Sequence, residues 1–158
     1  MTAQQDTAAR SGVPIVIRNV SKVFGEDGDK PFRALKPVDV EIPAGQFISV
    51  VGASGCGKST LMLMIAGLLG RTTGDVIVDG ATVTKPITDI GIAFQDHLLL
   101  EFRTAFENVM LHADIRRIDR DALARRAKDL LAQLRLTHAM DKYPRQLSGG
   151  MRQRVSIA

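Results

Sequence analysis

A chain of 158 residues, 45% apolar, 24% charged and 4% aromatic, has the length and composition of one globular domain, which excludes a disordered or fibrous polypeptide. A formal charge of +4 leaves a polyanion partner open, but the densest basic group, Arg116, Arg117, Arg120, Arg125, Arg126 and Lys128, is interleaved with Asp114, Asp119, Asp121 and Asp129 and reads as a solvated helix face. The lone Cys56 excludes an internal disulfide, the start carries no export signal, and the longest apolar run, LMLMIAGLL at 61–69, falls short of the roughly 18 residues of a spanning helix, so a reducing compartment and at most a peripheral membrane role are expected.

Residues 1–13 are polar and small and are expected to form a loose tail. IVIRNVSKVF (15–24) is rich in β-branched residues and VDVEI (38–42) alternates apolar with charged, so both read as strands flanking the turn GEDGDK. FISVVG (47–52) is a short apolar run ending in glycine, the pattern of a strand buried on both faces of a parallel sheet.

That run leads into GASGCGKST, in which Gly52, Gly57, Lys58 and Ser59 have the spacing of a Walker A loop opening an apolar helix. Glycines let backbone N–H groups converge on phosphate oxygens, and the helix N-terminus adds partial positive charge. Lys58 would then sit on the β- and γ-phosphates and Ser59 would ligate Mg²⁺. Cys56 fills a position where many residues fit, and nothing nearby suggests thiolate catalysis.

DVIVDG (75–80) followed by ATVT reads as a hairpin turning at Asp79-Gly80, and IGIAF (90–94) as another short strand. Gln95, next in line, could orient a water or touch Mg²⁺, although a lone Gln is usually a surface residue. From there the pattern turns helical: in DRDALARRAKDLLAQLRL, Leu123, Ala127, Leu130, Leu131 and Leu134 share one face, Asp119 is a natural N-cap, and Ile118 is placed to staple against Leu123. Tyr143-Pro144 closes this helical subdomain of about residues 100–145. Finally, in LSGGMRQRVSIA (147–158), Ser148 reads as an N-cap, and Gly149 and Gly150 expose free N–H groups, a second anion site.

The pair of phosphate motifs resembles the nucleotide-binding subunit of ATP-binding-cassette (ABC) transporters from about residue 15 onward, with LSGGM as its signature sequence. IGIAFQDHLLL, FRTAFENV and LSGGMRQRV look most like the ATPases of nitrate, sulfonate and taurine importers. The resemblance implies an α/β fold: a P-loop NTPase core with a mixed or parallel sheet, an N-terminal antiparallel β-subdomain and a helical subdomain, over residues 14–158. It implies ATP and Mg²⁺ as ligands, Phe24 stacked on adenine, and a Walker A cradle of Gly52, Ser54, Gly55, Cys56, Gly57, Lys58, Ser59 and Thr60. Lys58 and Gln95 are the implied catalytic residues, Ser59 and Gln95 the metal contacts, and Ser148, Gly149 and Gly150 clamp ATP held by a second copy. A membrane permease, a substrate-binding protein acting indirectly and a place on the inner face of the plasma membrane follow from the same resemblance, and no nucleic-acid partner is expected.

Two departures stand out. Met151 takes the place of the usual Gln and cannot complete a capping box with Ser148, and Glu101-Phe102 stands where relatives often carry Pro-Trp. Family members also continue past the signature helix into an apolar strand ending Asp-Glu and then a switch histidine. VIVD (76–79) and LLLE (98–101) precede the signature, and His97, His112 and His138 match no switch position. The Walker B Asp, catalytic Glu and switch His are therefore expected to be absent, which makes a truncated, non-hydrolysing ATP-binding fragment the alternative to a working importer ATPase. A DNA-associated ABC ATPase is disfavoured, because only one compact helical subdomain fits between Gln95 and Ser148.

Overall fold

The computed structural model describes residues 12–25, 30–117 and 119–158. The chain divides into two compact units, one ending at Ile90 and one starting at Gly91. Most of the expected tail, residues 26–29 of the GEDGDK turn, and Ile118 with its expected staple lie outside the described residues.

In the first unit β1 (Ile15–Phe24), β2 (Phe32–Ile42), β3 (Thr73–Val78) and β4 (Ala81–Thr82) form an antiparallel sheet in the order β2-β1-β3-β4. β1 is the central ladder, so its β-branched residues pack on both neighbours, and Ile17, Val20 and Val76 are buried. Burying each such side chain contributes about 1.5–3 kcal/mol. β2 begins six residues before the expected start and runs through Pro37. It lies at the sheet edge, where a missing N–H breaks no ladder. The β3–β4 hairpin turns at Asp79-Gly80 with φ of 50° and 75°, the two positive values that a tight primed turn requires. Helix α1 (Lys58–Ile65) lays Met64 against Ile17, Val20, Leu35, Val76 and Val83 to complete this core.

The strand expected at 47–52 does not form, and neither does the one at 90–94. Phe47 and Val51 are 95% and 89% exposed. A buried central strand is held by ladder bonds from both sides, and none of the four described strands lies beside these residues. The described sheet is therefore the antiparallel part of the expected architecture.

The second unit is helical: α2 (Ala105–Val109), α3 (Leu111–Arg116), α4 (Arg120–Gln133) and α5 (Gly149–Ile157), with short 3-10 turns at Thr137–Ala139 and Pro144–Gln146. On α4, Ala127 and Leu131 are buried while Leu123, Leu130 and the C-cap Leu134 are half-buried, as the periodicity requires, and the Asp119 carboxylate accepts from the Asp121 N–H at 2.9 Å. Leu131, Leu136, Ala139, Leu147 and Val155 share one core cluster. Asn108 anchors the stretch before α2: its amide donates to the carbonyls of Leu100, Arg103 and Thr104, and its Oδ1 accepts from the Leu100 N–H at 2.7 Å.

Candidate functional site

The Walker A stretch is an open loop ending in a helix start. Gly55 and Gly57 have φ of 78° and 97°, and Gly57 is the N-cap of α1 with no side-chain cap and no acidic residue in the first turn. The first N–H groups of α1 therefore keep their capacity for an anion. Sterics fix the glycine at 57. A Cβ there would stand 2.7 Å from both the Ala34 carbonyl oxygen and Leu35 Cδ1, so α1 starts directly against β2. At Gly52 a Cβ would meet Cys56 Sγ at 2.6 Å, so the exposed thiol lies against the first glycine of the loop.

Lys58 folds back over the loop it follows. Its Nζ donates to the carbonyls of Gly52 at 2.8 Å and Ala53 at 2.7 Å and lies 3.6 Å from Cys56 Sγ. Two neutral acceptors leave a cation free to exchange them for charged oxygens, which make stronger bonds. Ser54 and Ser59 are exposed, and Thr60 is half-buried on the first turn of α1. Among the described residues no group of three His, Cys, Asp or Glu could hold a metal. Mg²⁺ commonly keeps several waters and binds through one or two protein groups plus substrate phosphates, a requirement the exposed Ser59 hydroxyl fits.

Phe24 ends β1, 42% exposed, with the Lys22 ammonium 4.9 Å from its ring centroid. A cavity of about 410 Å³ opens between the β3–β4 hairpin and residues 83–90; it includes none of residues 52–60.

Gln95 and the signature belong to the second unit. Gln95 is exposed in an irregular stretch, and His97 Nδ1 lies 3.2 Å from Gln153 Oε1 on α5. Ser148 caps α5: its Oγ accepts from the Met151 N–H at 3.3 Å, and Met151 offers no reciprocal bond. No acidic residue lies in the first turn of α5, and Cβ atoms added at Gly149 or Gly150 would meet nothing within 4 Å. Arg154 braces this helix start, donating to the carbonyls of Gly150 at 3.3 Å and Leu134 at 2.9 Å.

Sequence reasoning passed over the support behind α2. Thr104 and Glu107 form a reciprocal capping box: the Glu107 N–H donates to Thr104 Oγ1 at 3.2 Å, and the Thr104 N–H donates to Glu107 Oε2 at 2.8 Å. The signal was present as T-x-x-E within FRTAFENV. The Thr104 backbone N–H, with its hydroxyl, holds the Glu107 carboxyl below its ordinary range. Asp114 is likewise held low, first by its bond from Arg103 at 2.6 Å and then by the charge of Arg120, with which it also pairs. Part of the interleaved charge is thus paired across helices as well as solvated.

Comparison with known proteins agrees over almost the whole chain. The family model described as "ABC transporter" matches residues 35–158. The chain is similar to the bicarbonate transport ATP-binding protein CmpD of Synechocystis, 44% identical over 146 residues, which cover 91% of this chain and 51% of that protein. It is also similar to the nitrate import ATP-binding protein NrtC of Synechococcus elongatus, at 42% identity over 91% of this chain and 22% of that protein. The chain thus spans about half the length, or less, of these curated relatives. Among solved structures, the dimeric post-hydrolysis state of the ATP-binding cassette MJ0796, bound to ADP and Pi, superposes with a TM-score of 0.79 at 33% identity, over 90% of this chain and 67% of that one.

Proposed function

Because this chain belongs to the ABC transporter family, we propose that it is the ATP-binding part of an importer and that it takes Mg²⁺-ATP on residues 52–60. The observation that carries the reading is the open loop in which the Lys58 ammonium rests on two backbone carbonyls beside an uncapped helix start. On binding, Lys58 exchanges the Gly52 and Ala53 carbonyls for oxygens of the β- and γ-phosphates, while the N–H groups of Gly57, Lys58 and Ser59 close on the β-phosphate. Ser59 would hold Mg²⁺, whose chemistry is to neutralise charge across the β- and γ-phosphates. Phe24 is assigned to stacking on the base.

Ser148, Gly149 and Gly150 are assigned to the nucleotide of a second copy of the chain. Two observations support this: the α5 N-terminus has no acidic residue in its first turn, and among the described residues a Cβ on either glycine would meet nothing within 4 Å. A permease at the inner face of the membrane is the proposed partner, with a substrate-binding protein acting through it. No described helix is long and apolar enough to cross a membrane. The proposed cargo is a small anion; the relatives named for bicarbonate and nitrate favour that class, as do the sequence motifs shared with sulfonate and taurine importers.

ATP binding is assigned to these residues, and no general base for hydrolysis is assigned to any of them. Asp79 opens the tight turn directly after β3, where its positive φ belongs to the hairpin, and Glu101 lies exposed in a turn before α2. The test is calorimetric titration with Mg²⁺-ATP: Lys58→Ala should weaken binding severely, and unchanged affinity would remove the site from residues 52–60.

A further inference from the structure

Phe24 has a companion that neither its motif nor the spacing of the chain assigns. Phe32, the first residue of β2, lies directly opposite Phe24 in the β1–β2 ladder. Opposed residues of an antiparallel pair point to the same face, with Cβ atoms about 4.5–5.5 Å apart. Two independent observations identify that face. Lys22, two residues before Phe24, sets its ammonium over the Phe24 ring, as same-face neighbours do. Lys22 is itself opposite Leu35, the residue that a Cβ on Gly57 would strike. Phe24, Phe32 and Lys22 therefore share the face on which the Walker A helix starts. The bulge that makes this possible lies between the Lys22–Leu35 and Val23–Arg33 pairs, where Ala34 is the extra residue and its carbonyl packs at Gly57.

Phe32 is 64% exposed and Phe24 42%, so two aromatic side chains stand side by side at a sheet edge with much of their surface uncovered. We propose that Phe32 is a second base-contacting residue that widens the Phe24 platform to the width of a purine. The occupant is the base of the nucleotide whose phosphates rest on residues 52–60, so the inference depends on that reading of the loop. Stacking of this kind grips any purine by its π-face and reads no hydrogen-bonding edge, so ATP and GTP bind alike through it.

The test compares Phe32→Ala, Phe32→Tyr and Phe24→Ala in the 158-residue chain, titrated with Mg²⁺-ATP and separately with Mg²⁺-tripolyphosphate, which has the charge and no base. Phe32→Ala should weaken ATP about 5- to 30-fold, leave tripolyphosphate within about twofold, and be rescued by Phe32→Tyr. Three results would overturn the proposal. One is loss of ATP binding in Phe24→Ala with none in Phe32→Ala, which spares the site and removes only the second ring. Another is equal loss of both ligands in Phe32→Ala, which would make the residue a prop for the loop. The third is failure of Phe32→Tyr to restore ATP affinity while its thermal midpoint matches the parent. Failure of the underlying site would show differently, as ATP affinity indifferent to Lys58→Ala.

Discussion

Two glycines at two helix starts should respond in opposite ways to a single methyl group. At Gly57 an added Cβ meets the Ala34 carbonyl and Leu35 Cδ1 at 2.7 Å, on a backbone with φ of 97°. A side chain in that conformation costs about 1–2 kcal/mol, and overpacking typically adds about 1–3 kcal/mol, so Gly57→Ala should lose about 2–5 kcal/mol of stability. For a chain of this size that is a fall of roughly 5–15 °C in thermal midpoint. At Gly150 the added methyl meets nothing, and alanine replaces glycine inside a helix, a gain of about 0.5–1 kcal/mol. Gly150→Ala should therefore melt no lower than the parent. If α5 faces the nucleotide of a second copy as proposed, the defect should emerge only when two copies close on Mg²⁺-ATP, where the added methyl would crowd that nucleotide. Differential scanning calorimetry of both variants reads the first half, and sedimentation velocity with and without Mg²⁺-ATP reads the second. A Gly57→Ala chain as stable as the parent would refute the packing argument, and a Gly150→Ala chain that pairs normally on ATP would refute the assignment of α5 to a second subunit.

Lys58→Ala removes the only side-chain cation seen on the loop; a hydrogen bond to a charged group is worth about 1.5–3 kcal/mol, so ATP and tripolyphosphate affinities should both fall by about 10- to 150-fold in titration calorimetry, and a loss confined to ATP would contradict a phosphate role. Thr104→Ala opens the capping box of α2 and should cost about 1 kcal/mol in urea denaturation followed by circular dichroism, with no change in ATP affinity; an unchanged midpoint would show the box to be ornamental. Glu107 and Asp114 carry folded-state values below their ordinary ones, so the folded state binds their protons more weakly than the unfolded state does. Their contribution to stability is present above the ordinary carboxylate range and is lost as pH falls through that range toward the lower folded-state values. A pH series of thermal midpoints should show this decline, shallower in Glu107→Gln, and an identical slope in the variant would exclude the carboxylate.

Features set by neighbours in sequence were legible from the sequence. The Walker A loop, the Asp79-Gly80 turn and the Ser148 cap each need particular residue types within a few positions, because positive φ and orphan N–H groups are local demands. The bounds of β1 were legible for a related reason: a run of β-branched residues makes one continuous ladder. β2 was read too short, since Lys36-Pro37 looks like a strand breaker until the strand is known to be an edge. The Thr104–Glu107 box is likewise a local feature, carried by the T-x-x-E spacing within FRTAFENV.

FISVV shows where such reading stops. Its apolar run specifies an environment, burial between two ladder partners and two layers, and only indirectly a conformation. In the described residues that environment is missing, and Phe47, Ile48, Val50 and Val51 stand exposed with no strand around them. The adjoining loop is nevertheless formed, because its shape depends on contacts that are present: Gly57 against Ala34 and Leu35, Cys56 against Gly52, and Lys58 on two carbonyls. The shape of residues 52–60 therefore rests on these local contacts and does not require the preceding run to be paired as a strand.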